Sequence, residues 1–129
     1  RILPATLCRQ LVQLLEAVTI QEGATGVRAR IPGYRVAGKT GTAQRLVNGS
    51  YSTQQHTSIF AGLAPASAPR LATVVVIDDP SAGQYFGGDV AGPVFSAVVG
   101  GALRLRGVPP DDLSVPTDPL FQGQRVAQR

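Results

Sequence analysis

The sequence contains no tryptophan and no methionine, and it has one cysteine (Cys8), one histidine (His56) and one lysine (Lys39). Each scarcity removes a class of explanation. A lone cysteine cannot close an internal disulfide. Cys8 falls on the apolar side of a predicted helix and reads as a small core residue. A single histidine without a cysteine cluster cannot build a zinc site, so no metal or cofactor is expected. The glycine-rich 86-FGGDVAG-92 precedes a helix but contains no Gly-x-x-x-x-Gly-Lys-Ser/Thr pattern, and so carries no nucleotide signature. There is no run of about 18 apolar residues, hence no predicted membrane span. No secretory leader is recognisable.

Charge of either sign is never concentrated. The net charge is +4, and the arginines, those from Arg9 to Arg106 included, are scattered along the chain with few aromatics between them. Nucleic-acid binders gather charge into a stripe or a module, so this pattern reads as a mildly basic surface with no nucleic-acid partner. An apolar fraction of 43% suits a globular chain, and 129 residues make one domain or part of one. The chain begins at arginine and enters a helical pattern almost at once. It is expected to be the C-terminal piece of a longer protein, or a chain cut from one.

Periodicity gives the order helix, strand, strand, strand, helix. Residues 3–18 read as a helix with Leu7, Leu11, Leu14, Leu15 and Val18 on one face, and 21-QEGATG-26 as a loop. Residues 34–43 read as a strand entered through Pro32-Gly33. On it Thr40 and Thr42 share one face and Lys39 points to the other. The polar stretch 45–56 reads as a hairpin connection around the turn dipeptide Asn48-Gly49. His56, at its end, reads either as a loop histidine or as a general base. Strands follow at 57–64 and 70–77, and the Val74–Ile77 run suggests a strand buried on both faces. Short connections favour antiparallel neighbours. After the loop 78–92 a helix is predicted over 93–106, with Val94, Val98, Ala102 and Leu105 on one side, Gly100 and Gly101 packed on the sheet, and Gly107 as a C-cap. Residues 108–129 form a C-terminal extension, expected to hug the surface or be disordered.

The chemistry centres on 39-KTGT-42. An ammonium there can stabilise an anion or bias a serine toward proton transfer, and two threonines can hydrogen-bond a carboxylate. Gly41 leaves room for a ligand backbone, and the Thr42 N–H could serve an oxyanion. Those four residues equally fit an exposed lysine among ordinary strand threonines. Asp78-Asp79 read either as paired carboxylates or as solvated at a strand end. Tyr85 and Phe86 read as one wall of a cleft or as a cover for the sheet end.

Taken together, 34-YRVAGKTGTAQ-44, 59-IFAGLAPAS-67, 70-RLATVVVIDDP-80, 85-YFGGDVAGPVFSAVVGGALR-104 and 108-VPPD-111 carry a resemblance. Lys-Thr-Gly-Thr on a strand is the third signature of the serine penicillin-recognising enzymes. With its neighbours, the chain resembles the C-terminal part of the transpeptidase domain of a class B penicillin-binding protein, of the septal Gram-negative type. The resemblance implies an α+β fold: the C-terminal portion of a penicillin-binding-protein/serine β-lactamase-like fold, an antiparallel sheet flanked by helices. Residues 1–107 would be that part of the domain.

The resemblance also implies a role for each residue. Lys39 would stand beside the nucleophile's proton network. Thr40, Gly41 and Thr42 would meet the carboxylate of a D-Ala-D-Ala stem peptide or a β-lactam, with the Thr42 N–H in the oxyanion hole. Tyr85, Phe86, Gly87 and Gly88 would border the cleft. Division-complex partners are implied too, as is a position on the periplasmic face of the inner membrane with an upstream anchor. One departure is decisive. The family uses Ser-x-x-Lys for the nucleophile and Ser-x-Asn for the relay, and neither can be written in this sequence. The remainder of the transpeptidase domain would have to supply both, and the isolated chain is expected to be inactive. A D,D-carboxypeptidase or β-lactamase, and a penicilloyl-binding sensor domain, are the alternatives.

Overall fold

The computed structural model describes residues 2–81 and 83–114. Helix α1 spans Ala5–Ile20 and a short 3-10 turn Val27–Ala29. Strands β1 (Ala37–Val47), β2 (Ser50–Ala64) and β3 (Leu71–Asp78) follow, then helix α2 (Gly87–Leu105). The strands form one antiparallel sheet in the order β1-β2-β3. Helix α1 packs against β1, and α2 lies across β2 and β3. Phe60, Phe95, Leu103 and Val99 are the largest fully buried apolar side chains of the core. The Phe60 and Phe95 rings meet edge-on at 4.8 Å.

The strands are longer than predicted. Residues 45–56 are not a connection: β1 and β2 run through them, and the turn is Asn48-Gly49 alone. Both turn residues have positive φ (51° and 81°), as a two-residue type I′ hairpin requires. The polar sequence misled because this part of the hairpin is mostly exposed on both faces and shows no alternation. A register shift between Gln44 and Leu46 bends it.

Three burial expectations are also corrected. Strand β3 is an edge strand with Val74 and Val76 exposed (63% and 59%), because nothing among the described residues covers that face. On α1 the predicted apolar face is largely uncovered. Leu7, Leu11 and Leu14 are exposed, while the buried residues are Glu16 and Thr19. Cys8 is only half-buried. Helix α2 starts six residues early, at Gly87, and turns a different face inward. Ala91, Phe95, Val99 and Leu103 are buried, whereas Val94, Val98 and Leu105 are exposed. The helix is apolar nearly all round, so periodicity alone could not choose the face. Gly100 approaches Ile31, not the sheet, and Gly101 meets nothing. Gly107 does terminate the helix. Its φ is 61°, its N–H bonds the Arg104 carbonyl, and the Val108 N–H reaches back to Leu103. That pair of bonds is the Schellman pattern.

Two groups of bonds fasten the ends of α1 and α2 to the start of β1. Arg35 grips Glu16 through Nε and Nη2 at 2.6 and 2.7 Å. The Asp111 carboxylate accepts from Arg35 N, Ser67 N and Ser67 Oγ. Tyr34 donates to the Val108 carbonyl at 2.6 Å. Residues 108–112 are therefore clasped onto the core, while 115–129 lie outside the described residues.

Candidate functional site

The sheet geometry brings 39-KTGT-42 to an exposed edge beside the start of α2. Strand β1 is an edge of the sheet, with Thr40 opposite Phe60 and Thr42 opposite Ser58. Alternation sends both threonines toward α2. Thr40 Oγ1 donates to Thr25 Oγ1 at 3.0 Å, and Thr42 Oγ1 accepts the Gly87 N–H at 3.0 Å. That bond satisfies one of the free N–H groups in the first turn of α2. Lys39 leaves from the other face, beside Leu15, Ala61 and Val74. Its ammonium curls around the strand edge, donating to the Thr40 carbonyl at 2.9 Å and reaching Thr40 Oγ1 at 3.4 Å. Lys39 is in no ion pair among the described residues.

A cavity of about 210 Å³ opens here, lined by Thr25, Thr40, Thr42, Phe86, Gly87 and Asp89 among others. The start of α2 forms one wall. Its positive dipole end favours an anion. Asp89 in the first turn opposes that, and is partly offset by the Arg28 guanidinium 3.7 Å away. A helix can approach a strand this closely only through glycine. An added Cβ at Gly87 would lie 2.1 Å from the Gly41 carbonyl oxygen, and one at Gly88 would lie 1.8 Å from that of Thr25. Gly41 differs, since its added Cβ would meet Ile59 at an ordinary 3.5 Å. Packing therefore demands glycine at 87 and 88 and does not demand it at 41.

Of the residues marked in the sequence, Thr40, Thr42, Phe86, Gly87 and Gly88 line the cavity itself. Lys39 and Gly41 are on its edge strand, and Tyr85 sits one residue before its wall. Thr25 was missed. It lies in a loop of small polar residues and carries no signal until the fold sets it against Thr40. His56 was misplaced: it is on β2 and only 4% exposed. Asp78 and Asp79 are exposed at the end of β3, within 3.6 and 3.7 Å of Arg45. The serine hydroxyls of Ser58, Ser67 and Ser96 donate to Tyr85 O, Asp111 and Arg30 O respectively, and none is a partner of Lys39. Among the described residues, then, Lys39 and the two threonines stand without a serine hydroxyl bonded to the ammonium.

Size does not select this cavity. Hollows of about 440 and 480 Å³ border α1 around Arg30 and Arg35. Arg30 caps the Thr19 and Ile20 carbonyls and Arg35 holds Glu16, so these two cations are already engaged.

Comparison with known proteins points the same way. Residues 3–100 match the family model described as the penicillin binding protein transpeptidase domain. The peptidoglycan D,D-transpeptidase FtsI of Escherichia coli K12 is 46% identical over 114 residues, covering 88% of this chain and 19% of that protein. FtsI of Buchnera aphidicola is 37% identical over 113 residues, covering 88% and 20%. Among solved structures, the apo TP domain of Burkholderia pseudomallei penicillin-binding protein 3 superposes with a TM-score of 0.75 at 43% identity. It covers 83% of this chain and 32% of that one. The chain spans about a fifth of the length of its curated relatives.

Proposed function

The chain belongs to the transpeptidase-domain family of the class B penicillin-binding proteins, and from that premise we propose that it forms the Lys-Thr-Gly-Thr side of a peptidoglycan D,D-transpeptidase site. The observation that carries this reading is the Lys39 ammonium, in no ion pair among the described residues, at the edge of a strand whose two threonines face a cavity at a helix N-terminus. Thr40 and Thr42 hold the terminal carboxylate of a D-Ala-D-Ala stem peptide, or that of a β-lactam. The Thr42 N–H stabilises the oxyanion. The freedom at Gly41, which packing does not require, serves the close approach of the ligand backbone. Tyr85, Phe86, Gly87 and Gly88 border the cleft.

The nucleophilic serine comes from the remainder of the domain, with Ser-x-x-Lys and Ser-x-Asn. Its oxygen bonds to the penultimate D-Ala carbonyl carbon. Its proton passes through the network beside Lys39 to the departing D-Ala amine. An amine of a neighbouring stem then takes the acyl group and frees the serine. A β-lactam acylates the same serine. The uncovered apolar groups on β3 and α1 support this division of labour, since they fit the rest of such a domain. The complete enzyme works on the periplasmic face of the inner membrane, held by an upstream anchor, with division proteins as partners.

Intact mass after incubation with benzylpenicillin tests the reading. The complete protein should gain one penicilloyl group and the 129-residue chain none. An adduct on the isolated chain would overturn the division of labour. A complete protein that stays unmodified would overturn the activity. Steady release of hydrolysed penicillin would favour a β-lactamase or carboxypeptidase.

A further inference from the structure

His56 contributes the buried side-chain nitrogens that lack hydrogen bonds among the described residues. Neither Nδ1 nor Nε2 has a partner, and the residue is 96% buried by its 4% exposure. Buried polar atoms are ordinarily satisfied, because leaving them unpaired is destabilising. Nearby charges do not engage the ring. Asp78 takes the Thr57 hydroxyl and Asp79 the Gln55 amide, while Arg45 lies with both carboxylates. Asp79 meets His56 only through its main-chain N–H, which donates to the His56 carbonyl.

What the ring does touch is Tyr85. The centroids are 4.3 Å apart with the planes tilted by 37°. Tyr85 packs edge-on against Phe86 at 5.5 Å and 87°. The Tyr85 carbonyl also takes the Ser58 hydroxyl at 3.3 Å. The Phe86 carbonyl accepts the Asp89 and Val90 N–H groups that open α2, and the Gly87 N–H bonds Thr42 Oγ1. A continuous row of contacts thus runs from His56 through two aromatic rings to the cavity wall.

We propose that His56 is a positioning residue of the cleft: its ring, through stacking alone, braces Tyr85 and so fixes Phe86 and the first turn of α2 against Thr42. The consequence for ligand binding rests on the transpeptidase reading. The brace itself does not. Its two nitrogens take no part, so a phenyl ring in the same place serves as well, whereas a general base at this position could not be replaced that way.

The test uses the complete protein, with amide hydrogen exchange and with benzylpenicillin acylation resolved into encounter affinity and limiting acylation rate. His56→Ala should speed exchange at the amides of Gly87, Asp89 and Val90 while those of β2 and β3 keep their protection. It should weaken the encounter affinity by roughly three- to tenfold, the scale of one lost aromatic pair, and leave the limiting rate unchanged. His56→Phe should restore wild-type exchange and affinity. Unchanged exchange at 87–90 in a folded His56→Ala sample would overturn the brace. So would a His56→Phe protein that behaves like His56→Ala. If the wild-type protein takes no penicilloyl group, the transpeptidase reading fails and the exchange contrast alone decides the brace.

Discussion

Two regions flank the start of β1, and they treat polar groups in opposite ways. In the clasp of Glu16, Arg35, Ser67, Asp111 and Tyr34, each charged or hydroxyl group has a protein partner. Asp111 alone accepts three hydrogen bonds, and Glu16 receives a two-pronged grip from Arg35. Those bonds hold the Arg35 guanidinium above its ordinary range, with the Glu16 hydrogen bonds outweighing burial. A few residues along, Lys39 has, among the described residues, only the Thr40 carbonyl and a long contact to its hydroxyl, on the strand whose Thr40 and Thr42 line an open cavity. The lesson is that saturated polar groups hold the fold, whereas on the proposed reading the ammonium left without an ion pair serves a ligand. Variants in the clasp should therefore lower stability and spare acylation; variants at the cleft should do the reverse.

The largest expected effect on stability breaks that rule on purpose. Gly87→Ala drives a Cβ into the Gly41 backbone, where no side chain can yield. It should cost about 3 kcal/mol and abolish benzylpenicillin acylation, because the helix start cannot seat against β1. Its partner in the comparison is Gly41→Ala, across the same contact. That variant should melt within about 1 kcal/mol of wild type yet acylate more slowly, because the added methyl meets only ordinary contact within the protein. A Gly41→Ala protein with full acylation would remove the ligand-approach role of that glycine.

The clasp comes next. Asp111→Ala leaves the Arg35 and Ser67 donors without their acceptor. Urea unfolding should register a loss of about 2 kcal/mol, with the acylation rate of the folded fraction unchanged. A parallel fall in acylation would show that the two regions are coupled.

The smallest effect is in alkali. Burial pushes the Tyr34 phenol up, with Arg104 opposing and Asp111 adding a little. The unfolded chain releases that proton near the ordinary value of about 10, and the folded chain holds it longer. Above that pH the folded state binds more protons, so stability falls as pH rises. Tyr34→Phe should lose about 1 kcal/mol at neutral pH with its bond to Val108, and should show a flatter decline above about pH 10. Equal slopes would assign the alkaline loss to other groups.

The cleft was more legible in the sequence than the clasp, and the reason is distance along the chain. Lys39, Thr40, Gly41 and Thr42 are consecutive, and strand alternation alone puts the two threonines on one face and the root of the Lys39 side chain on the other. Asn48-Gly49 announced its turn through two residues that tolerate positive φ. By contrast, Asp111 meets Arg35 and Ser67 across 76 and 44 residues, and no local pattern encodes that. Thr25 reaches Thr40 only after the loop folds back. The inward face of α2 was unreadable because valines lie on both sides, and its glycines decided the matter by close approach. The long hairpin was hidden because exposed strands need no apolar alternation.

The most direct test of the contrast is the benzylpenicillin acylation rate of Lys39→Ala in the complete protein, measured beside its melting temperature. Lys39 is exposed and in no ion pair among the described residues, so the account predicts a melting temperature equal to wild type. It predicts an acylation rate lower by about 10²–10⁴-fold, the range for loss of a proton-transfer group. An unchanged rate, or a rate that falls only in step with lost stability, would contradict it.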